Sequence, residues 1–393
     1  MRITYVVPED ETLWDSVEWR CAAPARAINR TGRHQASLLN FLDFSEDNQI
    51  SKAVCEESDV IVVYRNLWGP ALSTIQHYQA RDKVVVADFQ EAYHLLEPED
   101  HEYRFWAEGA YEQGGKKIDQ IDPPPLTQFK WGLQLVNGAT VPSKRLADDF
   151  QAYVRIEHVP DYIETERYAE MIPETHEGII LGWKGRSSHL RSFQASGVLE
   201  ALQEVCQQRP RVQVMICCED QKAVENLGLP AGKLIYRPWK DGSDWPSPLA
   251  RFDIGLAPLR GPLDQRRGWA SVLEYLIMKI PWVASQGPAY YELRPYGWLV
   301  ENTAGTWQRI LLDMIDHLDD YKFEAAQAPY LFGLSQSLEE NVYQLVDTYA
   351  QIVERASGIS ELINRPAIRS SLLTPEEDQD AEDGISWARR KRL

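Results

Sequence analysis

Three groups of residues in this chain put charged and hydroxyl side chains at spacings that chemistry can use. The first lies in residues 264–287, DQRRGWASVLEYLIMKIPWVASQG. Val272, Leu273, Leu276, Ile277 and Ile280 recur there at helical spacing, which predicts a helix over 267–279, stopped by Pro281, and a strand from 282. On that helix Arg267, Ser271 and Glu274 share the face opposite the apolar one. A carboxylate so placed, Glu274, suits hydrogen bonds from vicinal hydroxyls such as those of a ribose. A helix with a plainly solvated polar face has the same pattern.

The second group is Gly182-Trp183-Lys184-Gly185-Arg186-Ser187-Ser188-His189, which begins in a strand-like run. Small residues let backbone approach a phosphate, and free amides with Lys184 and Arg186 would offset its charge. A glycine-containing turn with incidental cations reads the same way. The third group is Asp88-Phe89-Gln90-Glu91, with Arg65 and Arg20 elsewhere in the first half. A carboxylate at the C-terminal edge of a strand faces a cleft in an open α/β sheet. Asp88 or Glu91 could therefore bind hydroxyls or act as a base; a loop cap or solvated acid is the structural alternative. Arg20 and Arg65 could meet a phosphate.

These residues need a frame, and the apolar runs supply one. Strands are expected at 3–7, 36–39, 60–64, 83–89, 140–142 and 156–159, and again at 178–183, 212–217, 234–236, 254–257, 282–284 and 298–300. Helix-length connections separate most of them, which argues for two parallel sheets, each covered on both faces. Residues 91–138, with EPEDHE, QGGKK and DPPP, break the alternation and read as a cleft-shaping excursion or a surface insertion. A polar stretch at 161–175 reads as the linker. A last helix is expected over 337–353, with Ser337 and Glu340 as a capping box. Beyond it lie PEEDQDAEDG and ARRKRL, a tail expected to be disordered or to bind a partner.

The 264–287 segment resembles the donor-site helix of GT-B glycosyltransferases of the family 4-like group (glycosyl transferases group 1). The resemblance is carried by Leu273-Glu274-Tyr275 followed by Lys279-Ile280-Pro281-Trp282-Val283-Ala284-Ser285, and extends in weaker form over roughly residues 1–350. The 182–189 loop is similar to the family's Gly-Trp-x-Gly-Ser-x-x-His loop. Val141-Pro142-Ser143 and Val159-Pro160-Asp161-Tyr162 resemble its landmarks before the linker, with Asp161 where Asn is usual. Two departures stand out. Many relatives carry an acidic residue eight positions before the ribose-binding Glu, where this chain has Arg266, and others carry a Lys three positions before it, where this chain has Ser271. Arg267, which offers a phosphate two donors, could substitute; alternatively the site has changed donor or lost activity.

The resemblance implies an α/β GT-B fold, two doubly wound Rossmann-like domains facing a central cleft. Residues 1–165 would be the acceptor domain and 166–336 the nucleotide-sugar donor domain. Residues 337–357 would form a terminal helix crossing back, and 358–393 the tail. It implies a retaining glycosyltransferase that needs no metal and no cofactor beyond its nucleotide-sugar co-substrate, and a glycan, lipid-linked or small-molecule acceptor. The implied donor set is Gly182, Trp183, Lys184, Gly185, Arg186, Ser187, His189, Trp239, Asp264, Arg267, Ser271 and Glu274. Arg20, Arg65, Asp88 and Glu91 would serve the acceptor; Asp88, Glu91, Lys184 and Arg267 would carry the chemistry. A non-catalytic glycan-binding or structural protein of the same fold is the alternative; a sugar-nucleotide epimerase lacks a visible acid/base set.

Composition sets the outer bounds. The 393 residues suffice for two domains. A net charge of −18 disfavours a broad nucleic-acid face and docking on anionic lipid. No apolar run reaches the ~18 residues of a membrane span, and acidic residues follow the first strand-like run where a signal peptide would not have them. Five scattered cysteines suit a reducing cytoplasm and show no metal-ligand spacing.

Overall fold

The computed structural model describes residues 1–8, 16–100, 102–113, 116–238 and 245–363. Its strands are β1 (Arg2–Val7), β2 (Gln35–Asn40), β3 (Val60–Tyr64), β4 (Val84–Asp88), β5 (Ala110–Gln113), β6 (Lys116–Gln120), β7 (Gly138–Val141) and β8 (Ile156–His158) in the first half. The second half has β9 (Ile179–Lys184), β10 (Val212–Cys218), β11 (Leu234–Pro238), β12 (Ile254–Ala257), β13 (Trp282–Ser285) and β14 (Trp298–Val300). One six-stranded sheet runs β2-β1-β3-β4-β7-β8 and the other β11-β10-β9-β12-β13-β14. Every pairing within them is parallel. Strands such as VIVVY and VVVAD are buried at every position, as sheets covered on both faces require.

Strand order reverses between β1 and β3 in the first sheet and between β9 and β12 in the second. In open α/β sheets, loops at such reversals diverge and leave a crevice beyond the strands' carboxyl ends. The two crevices face each other. The fold class read from the sequence, two doubly wound α/β domains around a cleft, is therefore present. Residues 91–138 contain more order than their composition suggested: helices Tyr103–Trp106 and Pro125–Leu135, and a β5–β6 hairpin. Pro125 opens its helix, where a missing N–H costs nothing.

The chain passes between the domains twice, and the two passages are bonded together. Ile163 N–H donates to the Gln336 carbonyl (3.0 Å) and Leu338 N–H to the Ile163 carbonyl (2.8 Å). The Leu338–Ile363 helix then packs Leu338, Val342, Leu345, Val346, Tyr349 and Ile352 into the core beneath β1 and β3. Beside the passages, the buried Glu164 carboxylate accepts from Arg26, Arg30 and Arg167.

The helix expected over 267–279 spans only Ala270–Ile277. At its end Lys279 turns left-handed (φ 56°), and Ile280 N–H reaches back to the Tyr275 carbonyl (2.9 Å), a Schellman-type stop. At its start Asp264–Arg266 forms a separate short turn and Arg267 is extended (ψ 156°). Its N-cap comes from the other side of the molecule: Asp161 Oδ2 accepts from Trp269 N–H (2.8 Å) and Ala270 N–H (3.2 Å). A β-carbon on Gly268 would collide with Asp161, so glycine there lets the cap close.

Asp161 is held by Arg20. Arg20 binds Asp88 with two hydrogen bonds (3.0 and 2.7 Å), the Val159 carbonyl (2.8 Å) and Asp161 Oδ1 (3.4 Å). The Arg20 and Asp88 side chains are 4% and 1% exposed. Burial disfavours the guanidinium's charge, and Asp88 and Asp161 more than restore it. Replacing one member leaves buried charge unmatched, at a cost of roughly 3–5 kcal/mol. Arg20→Met is accordingly expected to lower unfolding stability in urea by about that amount, and a change under 1 kcal/mol would contradict this account.

Candidate functional site

A cavity of about 460 Å³ lies between the domains. The first domain contributes Trp19, Arg65, Glu91, Asp100 and Glu102 to its wall, and the second contributes residues 183–189, Glu219, 256–260, Arg267 and Ser271. These residues close β9 and β12 or follow β1, β3, β4, β9, β10 and β12, the strand ends at and beside the order reversals. Among the expected site residues, Arg65, Glu91, Trp183, Lys184, Gly185, Arg186, Ser187, His189, Arg267 and Ser271 all line it.

Five expected residues among those described do not line it. Gly182 sits inside β9 with the Phe252 ring where a side chain would be; it serves packing. Arg20 and Asp88 are sealed in the ion pair described above, and Asp88 also accepts from Thr140 Oγ1 (2.5 Å). Neither is presented to an acceptor. Asp264 is buried below the 258–268 loop, where Oδ2 accepts from Ser192 Oγ (2.8 Å) and Arg260 N–H (2.7 Å) and Oδ1 pairs with Arg267 (2.9 Å). Its work is to fix that loop. Trp239 lies outside the described residues.

Glu274 differs most from its expected place. It is fully buried and is not part of the cavity wall. One oxygen pairs with the Lys184 ammonium, and the other accepts from Trp245 Nε1–H (2.7 Å) and Tyr168 O–H (2.8 Å). The Lys184 ammonium in turn lies 5.7 Å from the Trp19 ring and 5.2 Å from the Trp245 ring, distances at which ring faces attract a cation. Glu274 is thus the counter-ion beneath Lys184, not a carboxylate offered to the cleft. Helix periodicity marked it as polar but could not say that two aromatic residues from distant segments cover it.

Most cleft cations already face carboxylates. Lys184 has Glu274, Arg267 has Asp264, and Arg260 binds Asp100 twice across the cleft (2.7 and 2.9 Å). Arg191 joins the same Asp100 (2.9 Å). Opposite, Arg266 clasps Asp149 (2.7 and 3.1 Å), and Lys144 meets Glu292 (2.6 Å). The Arg260–Asp100, Arg191–Asp100, Arg266–Asp149 and Lys144–Glu292 pairs each join the two domains. Arg266, which replaces an acidic residue of the resembling family, is therefore a bridge between domains.

His189 and Glu91 carry the two informative titrations. Burial and the nearby Arg267, Arg186 and Arg260 hold His189 well below its ordinary value, so the ring is neutral and its Nδ1 accepts from Arg267. Burial pushes the Glu91 carboxyl up to about 7; Glu102 and Asp264 add to the rise, while Arg267 and Arg65 oppose it. Arg65, facing Glu91's side of the cavity, takes a left-handed backbone (φ 50°), held by its N–H on the Asp88 carbonyl (2.8 Å). Non-glycine residues in this conformation cluster at functional sites.

Sequence reasoning did not mark Asp100, Arg260 or Glu219. Glu219 had a usable signal, since it directly follows β10 at its carboxyl end. Asp100 and Arg260 had none, because their importance lies in meeting each other across 160 residues of chain.

No family model matches the chain, and no curated protein matches its sequence. Solved structures do. A glycosyltransferase from Rickettsia africae ESF-5 is similar over 90% of this chain and 98% of its own, at 14% identity and a TM-score of 0.61. Sucrose-phosphate synthase from Thermosynechococcus elongatus is similar over 90% of this chain and 100% of its own, at 9% identity and 0.64. UDP-GlcNAc 2-epimerase from Neisseria meningitidis is similar over 89% and 100%, at 10% identity and 0.51. Paired doubly wound domains with a cavity between their strand ends define a class of two-domain α/β proteins. Within that class, this chain has the GT-B fold.

Glu91 supplies a test of the cleft's electrostatics. Its folded value of about 7 lies above the ordinary 4.5, so protonation favours the fold. That contribution is complete below about 4.5 and is lost as pH rises through about 7. Glu91→Gln, which is neutral throughout, should gain urea resistance over the parent between pH 5 and pH 8. Parallel stability curves would show Glu91 titrating as an ordinary carboxylate.

Proposed function

We propose that this protein is a glycosyltransferase that moves a sugar from a nucleotide-sugar donor to a hydroxyl acceptor. The observation that carries the reading is the meeting, in one inter-domain cavity, of the 183–189 loop, Arg267 and Ser271 from one domain with Arg65 and Glu91 from the other. The two solved transferase and synthase structures with this fold support it by their named activities. The fold also serves an epimerase, so the cavity must decide.

In this reading the donor diphosphate lies against the 185–189 loop, with Arg186, Arg267 and Lys184 taking the charge that develops as the bond to the anomeric carbon breaks. The reading needs no bound metal for that charge. Glu91, on the facing wall, accepts a hydrogen bond from the acceptor hydroxyl and orients it. In the retaining course that the family resemblance implies, the hydroxyl's proton leaves on the diphosphate oxygen. Domain closure excludes water and limits donor hydrolysis. Among the described residues, no helix is long and apolar enough to cross a membrane.

A non-catalytic binding protein of the same fold is the second reading. The observation that favours it is the cation pairing: Lys184, Arg260 and Arg267 are each matched by a carboxylate.

Calorimetric titration with UDP, GDP, ADP and CMP separates donor binding from its absence. One nucleotide should bind, and Arg267→Ala should weaken it roughly ten- to a hundredfold, as expected for losing a charge-assisted contact. Absence of binding by all four to folded protein overturns the donor-site assignment. Removing Glu274 would strand the buried Lys184 charge, and Arg267→Ala likewise leaves the buried Asp264 without its cation, so the variant's urea stability is measured beside its binding.

A further inference from the structure

The 185–189 loop already holds an anion of the protein's own. Ser187 donates both its N–H (2.9 Å) and its hydroxyl (2.8 Å) to Glu219 Oε1. The sheet sets up the meeting. β9 and β10 pair in parallel with Cys217 opposite Lys184, and Gly185 N–H continues the ladder to the Cys217 carbonyl (3.1 Å). Glu219, one residue beyond the end of β10, and Ser187, three beyond the end of β9, stand side by side. Cys218 S–H donates to the second carboxylate oxygen (3.4 Å). Burial would raise this carboxyl, but Ser187's amide and hydroxyl hold it below the ordinary range, so it is ionised at neutral pH. Both Glu219 and the loop line the cavity.

An amide and a hydroxyl that together bind one carboxylate oxygen are the groups that would bind a phosphate oxygen. Resting on the donor-site reading above, we propose that Glu219 is a specificity-determining residue of that site: it occupies the phosphate position at Ser187 and must withdraw before a nucleoside diphosphate can bind. Glu219 is exposed, which leaves its side chain room to swing away. A ligand must therefore offset both the lost Glu219 hydrogen bonds and the repulsion of a nearby like charge. An intact nucleotide, held also through its nucleoside, can do so. Free phosphate or pyrophosphate lacks that second hold and is turned away. The cleft thereby discriminates between donor nucleotide and the small anions around it.

The test is Glu219→Gln, which keeps an oxygen for both Ser187 donors and removes the charge. Parent and variant are titrated with the nucleoside diphosphate identified above and with inorganic pyrophosphate. Affinity for the nucleotide should rise roughly three- to tenfold, the effect of removing one solvent-screened like charge, and pyrophosphate affinity should rise at least as much. Asp220→Asn is the control. It removes an equal charge one residue on, at a side chain that caps the Gln221–Glu225 helix and does not line the cavity, and it should change neither affinity. Unchanged or weaker binding by Glu219→Gln, with the parent still binding nucleotide, overturns the inference and leaves the donor site standing. An equal gain in Asp220→Asn also overturns it, as a general charge effect. Absence of nucleotide binding in parent and variant alike sinks both readings.

Discussion

A guanidinium in a protein interior needs counter-charges of fixed geometry, and Arg20 draws its own from two elements that are otherwise separate. Asp88 ends β4, and Asp161 follows β8 on the way out of the first domain. The second oxygen of Asp161 then caps the Ala270–Ile277 helix of the second domain. One buried charge therefore links the carboxyl edge of the first sheet, the inter-domain passage and the floor of the cleft. Glu91 lies three residues beyond Asp88, and Ser271 is the second residue of the capped helix. The walls of the cavity hold their relative positions through Arg20 and Asp88, which do not line it, and through Asp161, which does.

The cleft is built as a set of matched pairs. Lys184 rests on Glu274 between two indole rings, Arg267 on Asp264, and Arg260 on Asp100 of the facing domain. Desolvating unmatched cations is costly, so pairing lets them be present in a partly buried cavity. It also means that an arriving anion exchanges partners with carboxylates already in place. Because Asp100 belongs to the opposite domain, its pair with Arg260 also joins the two domains.

The fold was readable from local pattern. Short apolar strands with helix-length connections imply parallel sheets, whichever residues fill them, and both sheets are present with β4, β12 and β13 close to their expected bounds. The loops flanking the cleft were readable for the same reason, since they are strand ends in an open α/β fold. Individual roles within those loops were harder. Glu274 and Asp88 are carboxylates at strand-end and helix positions that suit ligand binding, and both are buried under side chains from remote segments: Trp245 and Tyr168 in one case, Arg20 in the other. Arg266 looked like the loss of an acidic ligand and is a bridge to Asp149.

The sequence by itself thus determined the two doubly wound halves, the helix-and-strand unit around 270–285, and which loops meet at the carboxyl ends of the strands. Periodicity and chain direction are properties of neighbouring residues and survive without knowledge of the rest. The tertiary structure alone decided which charges are exposed and which are spent on one another. That choice depends on contacts between residues separated by 68 positions for Arg20 and Asp88, 106 for Tyr168 and Glu274 and 160 for Asp100 and Arg260. Packing creates such proximity, and no local pattern encodes it.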